Sequence, residues 1–297
     1  MDCRYSGSLR DDARQKVRAR LRRGAGRAAP SRILRKLRLA VEYDGTDFSG
    51  FQWQPGARTV AGVLEAAFER LFGRPVKITG AGRTDSGVHA SGQVVSLPEH
   101  VAFPFERLLP ALHSVLPADL SVTDAQLVAG DFSARFSALE RTYVYAIANR
   151  PERSALLARY ACHVARLLDL HAMRTAGAQL IGTRDFRSFG STEPGAESVR
   201  TLGRLQVESR AGLIRIEAAA DGFLHHMVRA IVGTLVECGT GRRDPSEIPA
   251  ILAASDRSAA GPTAPACGLY LAGVRYPDGY DSFAEPPILR VQARALT

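Results

Sequence analysis

The sequence predicts an α+β fold built as two similar lobes. Three observations lead there. The chain has 297 residues, and at roughly 100–200 residues per domain that length favours two domains or lobes. Its apolar positions switch repeatedly between a period of two and helical spacing. The order strand, helix, strands, helix occurs once before Asn149–Arg153 and again after it. The chain therefore divides into a basic extension over 1–32, a first lobe over 33–150 and a second over 151–297.

The extension is rich in Arg, Gly and Ala and is expected to be disordered or locally helical. Its Gly24-Ala25-Gly26-Arg27-Ala28-Ala29 fits a G-x-G-x-x-A string. No strand precedes it and no apolar helix follows, so the dinucleotide reading fails. Leu37, Leu39, Val41 and Tyr43 then alternate as a half-buried strand, ended by the turn pair Asp44-Gly45. Thr59 is placed to cap a helix carrying Val60, Val63, Leu64, Ala67, Phe68 and Leu71, with Gly73 just beyond its end. Val76–Thr79 and Gln93–Leu97 read as short strands around a Gly-rich loop. Pro104 opens a helix with Leu108, Leu109 and Leu112, and Arg141–Ile147 alternates as a strand. In the second half, Leu170–Ile181 reads as a helix. Arg200–Ser209 and Leu213–Ala219 form a hairpin around Ala211-Gly212. Phe223–Glu237 is the strongest helical pattern, followed by a shorter helix near Ser246–Ala254 and a closing strand over Gly268–Tyr276.

Composition excludes several classes. With 45% hydrophobic and 23% charged residues the chain can bury a core and is not globally disordered. No apolar run approaches the ~20 residues of a membrane span, and the basic N-terminus lacks the apolar stretch of a secretory signal. Cys3, Cys162, Cys238 and Cys267 are scattered without a C-x-x-C, which speaks against a disulfide framework or zinc site and for a reducing cytosol. Residues 1–38 hold 13 Lys and Arg against 3 Asp and Glu, so the net charge of +9 is concentrated in the extension and the start of the first strand, and the remainder is near neutral. Such a tail fits a non-specific nucleic-acid tether, through counterion release, as well as it fits a solvated segment.

Three clusters carry chemistry. Gly80–Ala90 holds three glycines within eight residues, which let the backbone turn tightly or approach a ligand. It is neither a Walker loop nor G-x-G-x-x-G; it displays Asp85 on a turn beside Arg83. Arg229 lies inside the apolar run from Phe223, where an unpaired charge is costly, so it requires a carboxylate or phosphate partner. An Arg beside a carboxylate keeps it ionised. His225-His226 lacks zincin spacing, so the pair reads as packed or RNA-facing and no metal is expected. The third cluster joins Asp131–Phe136 to Arg141-Thr142-Tyr143-Val144-Tyr145, where Tyr143 and Tyr145 share a face. An aromatic there serves the core or stacks on a base, the latter worth ~1–3 kcal/mol.

Together these segments resemble the TruA family of tRNA pseudouridine synthases, from about Leu37 to Tyr280. The likeness rests on Tyr43-Asp44-Gly45, Gly82–Ala90, Ala134–Ala138, His225–Arg229 and Gly268-Leu269-Tyr270-Leu271, five motifs in the family's order. It implies a mixed, mostly antiparallel sheet with the active-site cleft between the lobes. It implies isomerisation of uridine at positions 38, 39 and 40 of the tRNA anticodon stem-loop, with Asp85 as nucleophile. By the same resemblance Tyr143 stacks on the flipped uracil, Leu269 touches its face, and Arg83 helps extrude the base. Phe132, Ser133, Ala134, Arg135 and Phe136 match the family's RNA-contacting stretch, and Ser191–Arg200 matches another in position. The family works as a cytoplasmic homodimer without cofactor. The extension lies outside the family pattern and is expected to add affinity without altering site choice.

Two other classes of function compete with this one. A non-catalytic tRNA-binding module on the same fold is expected to lack the Asp or its Arg partner, yet Asp85, Tyr143 and Arg229 are all present. An enzyme using lysine chemistry finds only Lys16, Lys36 and Lys77, none in a motif, and no carboxylate cluster of a metal-dependent nuclease stands out.

Overall fold

The computed structural model describes residues 35–97, 103–193, 195–210, 212–277 and 280–290. The extension, with its Gly-rich string and Cys3, lies outside them. Arg35–Thr297 makes one compact unit.

Strands β1 (Lys36–Tyr43), β2 (Thr79–Gly80), β3 (His89–Ser96), β4 (Leu120–Val128), β5 (Glu140–Asn149), β6 (Cys162–Val164), β7 (Gly182–Asp185), β8 (Val199–Arg210), β9 (Leu213–Ala220), β10 (Leu269–Arg275) and β11 (Ser282–Phe283) join in one sheet. Its main order is β4-β1-β3-β10-β5-β9-β8-β7, with β2 on β3, β6 on β5 and β11 on β10. The β3–β10 and β5–β6 pairs are parallel and the others antiparallel. This is the expected mixed, mostly antiparallel α+β arrangement. The boundary expected near Asn149–Arg153 falls at the end of β5. Strands of both halves share the sheet, because β10 from the second half pairs with β3 and β5 of the first.

Period two decides what lies on each face. Along β5, Tyr143, Tyr145 and Ile147 face the main core, while Val144, Ala146 and Ala148 face a smaller cluster with Leu213, Tyr270 and Leu289. The main core is covered by helices α1 (Val60–Phe72), α2 (Phe105–Val115), α3 (Leu170–Leu180), α4 (Met227–Gly239) and α5 (Ile248–Ala254). Helix α1 behaves as its sequence requires. The Thr59 side chain accepts from the Gly62 N–H, and Gly73 at φ 68 closes the last turn. Such a cap contributes about 1 kcal/mol.

Three local expectations are corrected. The strand expected over Val76–Thr79 is only β2, paired to the end of β3. The strand expected from Gln93 already starts at His89, because β10 pairs with His89 and Ala90. The helix expected from Phe223 begins at Met227, since His226 takes a left-handed conformation (φ 64) and His225 bridges to Ser191. Among the described residues no helix is long and apolar enough to cross a membrane.

Candidate active site

Asp85 sits on the loop between β2 and β3, and nearly every turn of that loop is tied to the scaffold. The Ala81 N–H donates to the Val94 carbonyl (2.8 Å), and the Gln93 amide donates to the Gly82 carbonyl (2.8 Å). The buried Tyr43 and Thr84 hydroxyls are hydrogen-bonded at 2.8 Å, and the Phe51 N–H donates to the Thr84 carbonyl (3.0 Å). Ser86 Oγ donates to the Phe48 carbonyl at 3.2 Å. A β-turn then closes from the Val88 N–H to the Asp85 carbonyl (3.2 Å), with Gly87 at φ 76 in the position that favours glycine. Gly50, at φ 86, lies against this turn: a Cβ there would stand 2.9 Å from the Thr84 oxygen. The loop is thus a rigid mount for one carboxylate.

Arg229, on the first turn of α4, supplies the partner its sequence position required. Its Nη1 donates to Asp85 Oδ2 at 2.9 Å and its Nε to the Ala264 carbonyl at 2.7 Å. Asp85 and Arg229 side chains keep 21% and 15% of their exposure, so the pair is half-dry and open on one side. The left-handed turn at His226 brings both imidazoles to the same carboxylate. His225 Nε2 lies 3.5 Å from Oδ1 and His226 Nε2 lies 3.4 Å from Oδ2, the rings stacked at 3.7 Å. Burial, with His225, Arg229 and Arg257 nearby, pulls the His226 pKa below 6.5 against the opposing charge of Asp85. From the sequence these rings read as packed or facing RNA; no local signal announces a left-handed histidine. Asp85, His225 and His226 each bring a ligand atom within 4.8 Å of the others, the grouping among the described residues closest to a metal site. The Arg229 guanidinium already provides the positive charge on Oδ2 that a cation would bring.

Tyr143 stands beside this cluster. Its hydroxyl lies 3.5 Å from where a Gly82 Cβ would be, and Phe223 packs edge-on against its ring at 5.1 Å. Burial, then Tyr43 and the negative charge of Asp85, raise its pKa well above the ordinary tyrosine value, so it stays a neutral phenol. Leu269 and Leu271 are buried opposite Tyr145 and Tyr143 in the β5–β10 pair, and Leu271 approaches Gly82.

The RNA-facing expectations divide. Arg83 is exposed and 3.8 Å from Glu193, in the Ser191–Arg200 segment. Arg135 and Phe136 are exposed, Phe136 at 82% with the Arg135 guanidinium over its ring. Phe132 and Ala134 are instead buried. Phe132 packs on Tyr276 and Tyr280, and the Ala134 backbone bonds Ser96 and Tyr276. Their side chains anchor the segment. Ser133 is half-buried and bonded within its own turn. The sequence places Arg141 in the third cluster but gives it no role; its guanidinium reaches the carbonyls of Ala81, Arg135, Ala138 and Asp221.

Similarity to known proteins converges on this site. The family model described as tRNA pseudouridine synthase matches residues 39–137 and 176–277, which include Asp85, Tyr143's neighbours in the sheet and Arg229. The tRNA pseudouridine synthase A of Moorella thermoacetica is 46% identical over 243 residues, 81% of this chain and 99% of that protein. That of Methylobacterium nodulans is 46% identical over 245 residues, covering 82% and 96%. That of Caldicellulosiruptor saccharolyticus is 43% identical over 244 residues, covering 82% and 100%. With a rigidly mounted aspartate paired to an arginine from the other half of the chain, and relatives matched over nearly their whole length, the chain belongs to the TruA family of tRNA pseudouridine synthases.

Proposed function

We propose that this chain isomerises uridine to pseudouridine at positions 38, 39 and 40 of the tRNA anticodon stem-loop, with Asp85 as nucleophile. The observation that carries the reading is the Asp85–Arg229 pair. A carboxylate 2.9 Å from a guanidinium and only 21% exposed is paired, oriented and short of water on one side. Asp85 attacks uracil C6 or ribose C1′ and the N1–C1′ bond breaks; the uracil turns, C5 joins C1′, and the bond to Asp85 breaks, either by elimination from C6 or by displacement at C1′, which frees the carboxylate. The C5 proton is released as N1 gains one, so the atoms balance without a cofactor. Extruding the uridine costs a few kcal/mol, offset by stacking and phosphate contacts. Tyr143 offers the stacking face as a neutral phenol, with Leu269 on the same side of the sheet. Arg83, Arg135 and Phe136 are the exposed residues placed to hold the RNA. Residues 33–150 bring the aspartate and 151–297 the arginine, in a cytoplasmic homodimer that grips one tRNA with both subunits.

The test is tritium release from tRNA labelled at uridine C5, because isomerisation leaves the mass unchanged. Wild type is expected to release tritium, and Asp85→Asn to bind the tRNA with nearly unchanged affinity and release none. If neither protein releases tritium from tRNAs carrying uridine at 38–40 while both bind them, the activity reading fails and a binding module takes its place. Residual turnover of Asp85→Asn comparable to wild type would remove Asp85 from its role.

A further inference from the structure

Arg141 is the second residue of β5, two before Tyr143 on the same face, and its guanidinium hydrogen-bonds to backbone oxygens. Nε and Nη2 donate to the Ala81 carbonyl at 3.2 and 3.1 Å, and Nη2 donates to the Arg135 carbonyl at 2.6 Å. Nη1 donates to the Asp221 carbonyl at 2.8 Å and reaches the Ala138 carbonyl at 3.4 Å. A guanidinium has five N–H donors in a fixed fork, and here that fork joins three separate segments. Ala81 begins the loop that carries Asp85. Arg135 and Ala138 bracket the exposed Phe136. Asp221 directly follows β9, just before the Phe223–His226 turn that delivers the two histidines and Arg229. Among the described residues no carboxylate is hydrogen-bonded to this guanidinium; Asp221 attracts it only through space, and the charge polarises the four carbonyls and stiffens each segment it touches.

We propose that Arg141 is a positioning residue that couples the seating of tRNA on Arg135–Phe136 to the placement of Asp85. The proposal rests on the reading of Asp85 as nucleophile. RNA that orders the exposed 135–136 segment orders, through one guanidinium, the Ala81 end of the catalytic loop and the Asp221 end of the histidine turn. A lysine keeps the charge but has a single ammonium with three donors at one point. It cannot span three segments.

The first experiment needs no variant. A tRNA anticodon-arm RNA without uridine at the target positions binds the surface but offers no base to the site. Amide hydrogen exchange over residues 80–88 of the wild type is expected to slow when this RNA is added. Unchanged exchange there, with the RNA bound, overturns the proposal. The second compares Arg141→Lys with wild type by tRNA Kd and single-turnover tritium release. The expected result is a Kd within about threefold and a chemical rate at least about thirtyfold lower, with the RNA-dependent slowing at 80–88 lost. A further arm adds millimolar guanidinium to Arg141→Ala, which is expected to recover rate there and not in Asp85→Asn. A rate within threefold of wild type refutes the coupling. Loss of rate, affinity and melting temperature together, with no guanidinium rescue, assigns Arg141 to fold support and equally overturns it. Failure of the underlying reading is seen elsewhere: the wild type would release no tritium, or Asp85→Asn would.

Discussion

Replacing Arg229 by Met keeps the length and apolar stem of the side chain on α4 and deletes the guanidinium alone. Two interactions go with it: the 2.9 Å bond to Asp85 and the 2.7 Å bond to the Ala264 carbonyl. Breaking a buried ion pair by removing one partner costs about 3–5 kcal/mol. Asp85 retains 21% exposure and can recover some hydration, which lowers the cost to about 2–3 kcal/mol on the same scale. If that loss falls on the reacting state, at about 1.4 kcal/mol per tenfold it slows the chemical step about 30- to 160-fold. Ala264 loses a donor worth about 1 kcal/mol, which lowers the melting temperature by about 2–4 °C in a chain of this size. The assay is single-turnover tritium release, with tRNA affinity measured in parallel. Arg229→Lys restores the charge without the second bond and should lie between Met and wild type. Turnover of Arg229→Met within threefold of wild type, or a deficit fully explained by weaker tRNA binding, would refute the argument that Arg229 acts through Asp85.

Gly50→Ala forces a left-handed residue and sets its Cβ 2.9 Å from the Thr84 oxygen, against the backbone of Asp85. Strain and overpacking together come to about 2–4 kcal/mol, so both melting temperature and turnover should fall. Gly73→Ala has the same sign of φ but open space around it, so it should cost about 1 kcal/mol and leave turnover alone. Equal turnover in the two variants would show that Gly50 does not support the catalytic turn. His89 is 2% exposed; its Nδ1 accepts the Gly45 N–H at 3.0 Å and its Nε2–H donates to the Arg159 carbonyl at 2.9 Å. Burial holds its pKa below 6.5, although Asp44 opposes the shift. The unfolded chain therefore binds the proton first, and this contribution to stability is present above pH 6.5 and lost as the pH falls below it. NMR of labelled His89 should show the neutral Nε2–H tautomer persisting to lower pH than in a free histidine, and a ring that takes its proton at or above the free value would contradict the assignment.

What the sequence makes legible here is what short-range chemistry decides. Thr59 and Gly73 bound their helix because a cap and a left-handed stop act within one turn. The need of Arg229 for an anion was readable because an unpaired charge on an apolar face is costly whichever partner answers it. The partner, 144 residues away, was not contained in that argument; only the matched motifs named Asp85. Strand β9 shows the opposite limit. Its Arg215 and Glu217 give an alternating pattern that reads as one wet face, yet every residue of the strand is buried. The two charges bond each other and are capped by Glu285 from the C-terminal end and Arg204 from β8, so the pair satisfies itself under cover. Alternation measures polarity, and a paired charge carries polarity without exposure.

The same distinction explains why the role of Arg141 and the histidine turn are not legible. A search for the partner of an arginine looks for an acid, and among the described residues none is hydrogen-bonded to Arg141; its acceptors are backbone oxygens, which every sequence supplies equally. His226 adopts φ 64 because the Ser191–His225 bridge and the start of α4 fix the chain on either side, and neither constraint is written in the residue itself. Both features lie where distant segments meet around Asp85. β10 belongs with them: by pairing with β3 on one side and β5 on the other it sets Leu271 against Tyr143 and holds the two halves of the chain in register. A one-residue slip of β10 would turn Leu269 and Leu271 to the opposite face and put Tyr270 and Ala272 beside Tyr143. The distance from Asp85 to Arg229 is therefore a property of sheet register as much as of either residue, and substitutions that weaken the β5–β10 pairing should slow the reaction before they unfold the chain.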